Sequence, residues 1–182
     1  MSQREKPASA SVRDLVYTAM FGAATAAGAY LIIPLPPVPV TLQTFFMAMA
    51  GALLGKRRGA MSQVIYILLG IMGLPVFAGG KAGLGVLLGP TGGYLLGFIA
   101  GAYVTGWIVQ AGGRAGTFRI ALAVVAGFLV VYAFGVTGLC LLAGLTPVKA
   151  VSLGMIPFLV GDVLKLGVAT LVTVKVRDRI PR

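Results

Sequence analysis

The sequence predicts an all-α membrane protein with six transmembrane helices, and three observations carry that prediction. Hydrophobic residues make up 58% of the 182 residues and charged residues only 10%, against about 25% charged in a soluble domain. The mean hydropathy is +0.99, more apolar surface than the interior of a soluble fold this small can hide. The apolar residues fall in long runs divided by short basic clusters, and those clusters alternate in the manner of the positive-inside rule.

A helix needs about 20 apolar residues to cross the roughly 30 Å hydrocarbon core. The first span is read at 15–33, 19 residues without a charge. Its apolar run exceeds the roughly 7–15 residues of a signal peptide core, so it is expected to be a retained helix. It stops where Pro36, Pro37 and Pro39 forbid regular helix. The second span is read at 41–54, ending at Gly55 before Lys56, Arg57 and Arg58, and the third at 60–74, ending at Pro75. Both are shorter than the rule asks. Residues 75–90 are apolar but glycine-rich, with Lys81 their only charge. The fourth span is read at 91–109, with Tyr103 and Trp107 as interfacial anchors. A polar stretch at 110–119 follows, then the fifth span at 120–142, a turn at 144–149, and the sixth span at 151–174. The expected organisation is a cytoplasmic N-terminal tail at 1–14, a transmembrane domain at 15–174 and a basic cytoplasmic tail at 175–182.

Charge placement supports an even number of spans. On that count twelve of the 15 Lys and Arg residues fall on one side: Arg4, Lys6, Arg13, Lys56, Arg57, Arg58, Arg114, Arg119, Lys175, Arg177, Arg179 and Arg182. Lys81 and Lys149 fall on the other, and Lys165 lies within a span. Both termini are therefore expected to be cytoplasmic, in a multi-pass protein of the cell membrane surrounded by lipid.

The same composition excludes several functions. A net charge of +11 suggests nucleic acid, but the basic residues form no stripe and no aromatic platform accompanies them. The chain has no histidine and one cysteine, Cys140, which rules out Ser-His-Asp and Cys-His catalysis and any disulfide within the chain. Metal sites and cofactors are not expected. No GK[ST] follows the glycines at the spacing a phosphate loop requires, so nucleotide binding is rejected.

Four features remain. Asp162 and Lys165 lie deep in the sixth span, each costing roughly 2.5–3.5 kcal/mol at the bilayer centre on insertion scales. Three residues apart, they share a helix face. Either they line a cavity and hydrogen-bond a polar ligand, or they satisfy each other as a structural pair. The segment PLPPVPVTLQTF at 34–45 places Thr41, Gln43 and Thr44 in irregular backbone, which membrane proteins tolerate only when it is buried or lines a wet cavity. It reads as the wall of an outer-side site or as a stiff connector. The third feature is the glycine-rich stretch 73–97. It includes Gly79, Gly80, Gly92 and Gly93, and Thr91-Gly92-Gly93 is expected to open the fourth span with free amides. The fourth is a ladder of small residues, Ala19, Ala23 and Ala27, with Ala24 and Gly28 alongside. It suits close helix contact, either with another protein or within this chain.

Four motifs, VPVTLQTF at 38–45, GLPVFAGG at 73–80, GPTGGYLLGF at 89–98 and GDVLK at 161–165, resemble the BioY family of biotin transporters, the substrate-binding S components of energy-coupling factor (ECF) transporters. The resemblance runs from about residue 13 to 175. It implies the six-helix S-component fold, with loops after helices 1 and 3 closing an outer-side cavity, and high-affinity biotin uptake. It also implies a binding site that includes Asp162 and Lys165, together with Thr41, Gln43, Gly79, Gly80, Lys81, Gly92, Gly93 and Tyr94. Lys81 stands where a neutral polar residue is expected, and the ligand's carboxylate is one partner for it. The resemblance makes Ala19, Ala23 and Ala27 a docking face for the ECF T component, which joins two ATPase subunits that would supply hydrolysis in trans. It leaves open another vitamin as ligand and a carrier that works without the module. On this reading Asp162 accepts from the ureido N–H groups of biotin and Lys165 donates to its C=O.

Overall fold

The computed structural model describes residues 11–178, so Arg4, Lys6, Arg179, Arg182, most of the expected N-terminal tail and half of the C-terminal one lie outside the described residues. Six long helices dominate. They are α1 (Val12–Tyr30), α2 (Gln43–Leu54), α3 (Lys56–Ile71), α5 (Gly92–Gln110), α6 (Thr117–Leu142) and α8 (Ile156–Val176), with the short helices α4 (Leu84–Leu87) and α7 (Pro147–Gly154) between them. Strands β1 (Ile32–Ile33) and β2 (Val40–Thr41) form a small antiparallel hairpin that pairs Ile32 with Thr41.

Among the described residues, three helices, α5, α6 and α8, are long and apolar enough to cross a membrane on length and composition alone. Helix α1 falls short in hydropathy, α2 and α3 in length. At about 1.5 Å per residue, α2 is roughly 18 Å long and α3 roughly 24 Å, less than the hydrocarbon thickness. Both stop at the end of the bundle where the loops 31–42 and 72–91 lie, so irregular backbone occupies the depth that helix leaves free.

Four boundaries differ from the sequence expectation. The first span ends at Tyr30, and residues 32–33 are strand. Gly55 alone joins α2 to α3, its positive φ of 83° making the reversal, so Lys56, Arg57 and Arg58 are the first turn of α3 and not a loop. A turn of helix, α4, interrupts the glycine-rich segment. The sixth span is split: the expected turn at 144–149 contains the start of α7, and the chain leaves helical geometry at Met155 (φ −129°, ψ −54°) before Pro157 in the first turn of α8. Proline lacks the N–H that would continue the ladder from α7, and hydropathy cannot register that.

The opposite end is tied by charge. Arg58 pairs with Asp14 at 2.6 Å, Arg114 with Asp178 at 2.5 Å, and Arg177 donates to the carbonyl of Ala115. These contacts gather the starts of α1 and α3, the loop before α6 and the end of α8. Among the described residues, this end holds Arg13, Lys56, Arg57, Arg58, Arg114, Arg119, Lys175 and Arg177, and the loop end holds Lys81 and Lys149.

Candidate functional site

At the loop end the helices enclose a cavity. Its atom-free space, open mouth included, is about 660 Å³. The loop 34–42 and the start of α2 bring Val38, Pro39, Thr41, Gln43 and Thr44 to it, and the loop before α4 brings Phe77, Ala78 and Lys81. Tyr94, Leu95 and Phe98 come from α5, Val131 and Tyr132 from α6, and Phe158 and Lys165 from α8.

Two lysines bracket this space. Lys165 is 7% exposed, whereas Lys81 is exposed at the mouth. Lys165 Nζ donates to Asp162 Oδ1 at 2.9 Å and to Thr44 Oγ1 at 3.1 Å. An ammonium carries three protons, so one remains for the cavity. Asp162 is 6% exposed and stands beside the cavity wall without lining it. One of its oxygens receives Lys165 and the other receives the Tyr132 hydroxyl. The buried pair is thus hydrogen-bonded on all sides except at the lysine face turned to the void, as the cost of burying charge demands.

A second part of the wall is neutral and polar. Thr41 Oγ1 donates to Gln43 Oε1 at 2.8 Å, and Gln43 Nε2 donates to the Tyr66 hydroxyl. Aromatic rings fill the remainder. Tyr94 stacks on Phe158 with centroids 6.2 Å apart and planes 20° apart, and Tyr132 meets Phe158 edge-on at 6.3 Å. Tyr94 donates its hydroxyl to the carbonyl of Gly154 at 2.6 Å.

The sequence-predicted residues divide into two groups. Thr41, Gln43, Lys81, Tyr94 and Lys165 line the cavity, with Asp162 directly behind Lys165. The glycines do not line it. Gly79 and Gly80, at φ 73° and 72°, form the turn that bridges Phe77 to Lys81 and so aims both at the void. Gly92 starts α5 against the backbone of Leu87, and Gly93 faces α6 at Gly138. Ala19, Ala23 and Ala27 are all exposed, while α1 packs inward through Thr18, Gly22, Thr25, Gly28 and Ala29. Sequence reasoning missed Tyr132 and Tyr66. Their only signal is a hydroxyl-bearing ring in an apolar run, which tyrosines at the membrane interface share.

Fold and cavity together define a membrane-embedded protein that binds a small solute among its helices. The BioY family signature matches residues 1–182. The chain is 44% identical over 167 residues to the biotin transporter BioY of Thermotoga maritima, covering 91% of this chain and 96% of that one. It is 43% identical over 173 residues to the biotin transporter BioY of Rhizobium etli, covering 88% and 91%. A solved structure, the S-component for biotin from an ECF-type ABC transporter, superposes with a TM-score of 0.84 at 26% identity, over 98% of this chain and 95% of that one. The chain belongs to the BioY family and has the S-component fold.

Proposed function

We propose that the protein binds biotin in the cavity between Lys165 and Lys81 and is the substrate-binding S component of an ECF transporter that takes it up. The observation that carries the reading is the uncommitted proton of a buried lysine facing a void otherwise walled by aromatic rings. It is a donor waiting for an acceptor, as the ureido C=O of biotin provides. Asp162, with both oxygens engaged, acts by holding Lys165 aimed, so the ring N–H groups turn to the oxygens of Thr41, Thr44 and Gln43. The stacked pair Tyr94–Phe158 covers the bicyclic ring and the apolar tail. The carboxylate reaches the mouth, where Lys81 meets it.

The exposed ladder Ala19, Ala23 and Ala27 suits close docking of a helix from the T component, because small side chains let backbones approach in lipid. Two ATPase subunits joined to that component drive the cycle. Sorting of the basic residues supports both termini on the cytoplasmic side of the cell membrane, with the cavity opening outward. The direct test is isothermal titration of the purified protein with biotin. Saturable one-to-one binding that weakens by about 10- to 100-fold in Lys165→Ala is expected, and equal affinity in wild type and variant would remove Lys165 from the site.

A further inference from the structure

The Thr41–Gln43–Tyr66 chain holds a property that none of its members has alone. Tyr66 is 0% exposed and does not line the cavity, whereas Thr41 and Gln43 do. Its ring is fixed edge-on against Phe77, centroids 5.6 Å apart and planes 90° apart, so its hydroxyl is held at the Gln43 amide. Gln43 is itself 4% exposed, and its backbone N–H donates to Thr41 Oγ1 at 3.3 Å. The amide therefore keeps its place whichever way its two ends point.

Those two orientations have the same shape and opposite polarity. In one, the Thr41 hydroxyl donates to Gln43 Oε1 and Gln43 Nε2 donates to Tyr66, which leaves a Thr41 lone pair as an acceptor for the cavity. In the other, Tyr66 donates to Oε1 and Nε2 donates to Thr41, which frees the Thr41 proton as a donor. A buried amide end left without a partner is costly, so both orientations exist only if the far terminus can both give and receive. A phenol does both, whereas a carbonyl or an ammonium does only one.

We infer that Tyr66 is a positioning residue that sets the hydrogen-bond polarity Thr41 presents to the ligand, acting through the Gln43 amide and without touching the ligand. This rests on the cavity being the biotin site. A ureido ring carries N–H donors beside a C=O acceptor, and a wall of adjustable polarity takes either edge without leaving its own groups unpaired. Loss of the phenol leaves one amide end unsatisfied in both orientations.

The test is a double-mutant cycle on the full chain in nanodiscs, with biotin affinity measured for wild type, Tyr66→Phe, Gln43→Leu and the pair. Tyr66→Phe removes one oxygen and keeps the ring against Phe77. It is expected to weaken binding by about 10-fold in the wild-type background and by less than about twofold in the Gln43→Leu background. Thr41→Val should silence it in the same way. A merely structural role would cost the same factor in every background. That result, or unchanged affinity in Tyr66→Phe, overturns the inference. A wild-type chain that fails to bind biotin overturns instead the reading on which it rests.

Discussion

Helices α5 and α6 meet backbone to backbone, while α8 meets its neighbours through side chains. A Cβ placed on Gly138 would stand 2.8 Å from Gly93 Cα, and one on Gly101 would stand 2.9 Å from the carbonyl of Gly127. Those two crossings leave no space for any larger residue. On α8 the glycines are free: Gly161 has only Val40, at 4.0 Å, within reach, and Gly167 has nothing within 4 Å. The contacts of α8 at the cavity are Asp162 with Tyr132, Lys165 with Thr44, and Phe158 with Tyr94. Its outer face, Val160, Val163, Leu164, Val168 and Leu171, is exposed for lipid. Two ways of packing helices in lipid thus sit side by side. Close glycine contact, driven by dispersion, makes a rigid frame. Polar side chains on α8 hold it at a distance, and the void left between is the proposed binding site.

The comparison can be broken most severely at the frame. Gly93→Leu forces a side chain into the α6 backbone, an overpacking expected to cost about 3 kcal/mol or more. The expected outcome is loss of the monodisperse peak in size-exclusion chromatography, and a normal profile with native melting would refute close packing there. On α8, Lys165→Ala leaves Asp162 buried without its cation. That is expected to destabilise by about 3–5 kcal/mol and, through loss of a charged hydrogen bond worth about 1.5–3 kcal/mol, to weaken biotin by about 10- to 100-fold. The pair Asp162→Leu with Lys165→Met separates the two effects. Its melting temperature should return to near wild type, since apolar replacement of a buried ion pair is often neutral or stabilising, while biotin titration stays flat. Recovery of binding would make the pair structural only.

A milder change extends the comparison to the exposed face of α1. Ala23→Trp should leave biotin affinity within about twofold, since nothing near the cavity moves, and abolish uptake in cells that carry the transporter. Normal uptake would take the ladder out of docking. The smallest effect is expected at Gly167→Ala, where open space meets a better helix former. Stability should rise by up to about 1 kcal/mol, and a fall in melting temperature would show a neighbour that the comparison overlooks.

Much of this was legible in the sequence, and the reasons are local. Hydropathy adds up along the chain without reference to partners, so the apolar runs and the sorting of basic residues could be read directly, while the prolines marked loops that begin several residues earlier, after Tyr30 and Ile71. The cost of charge in lipid singled out Asp162 and Lys165, and the four motifs pointed to the family. Where the reading slipped, the deciding contact lay elsewhere. Lys56, Arg57 and Arg58 look like a loop until Gly55 turns the chain in one residue. The span at 151–174 looks continuous until Met155 and Pro157 break it.

By itself, then, the sequence determined a membrane-embedded helical protein of the BioY family with one ion pair deep in its last helix. Only the tertiary structure decided that Lys165 faces the cavity while Asp162 stands behind it, that Gly92 and Gly93 serve helix contact, that Ala19, Ala23 and Ala27 point outward, that Tyr132 joins the wall and that Tyr66 backs it through Gln43. The reason is that burial in lipid is a property of each segment alone. A cavity wall is a property of residues as far apart as Thr44 and Lys165, and their meeting exists only once the helices have packed.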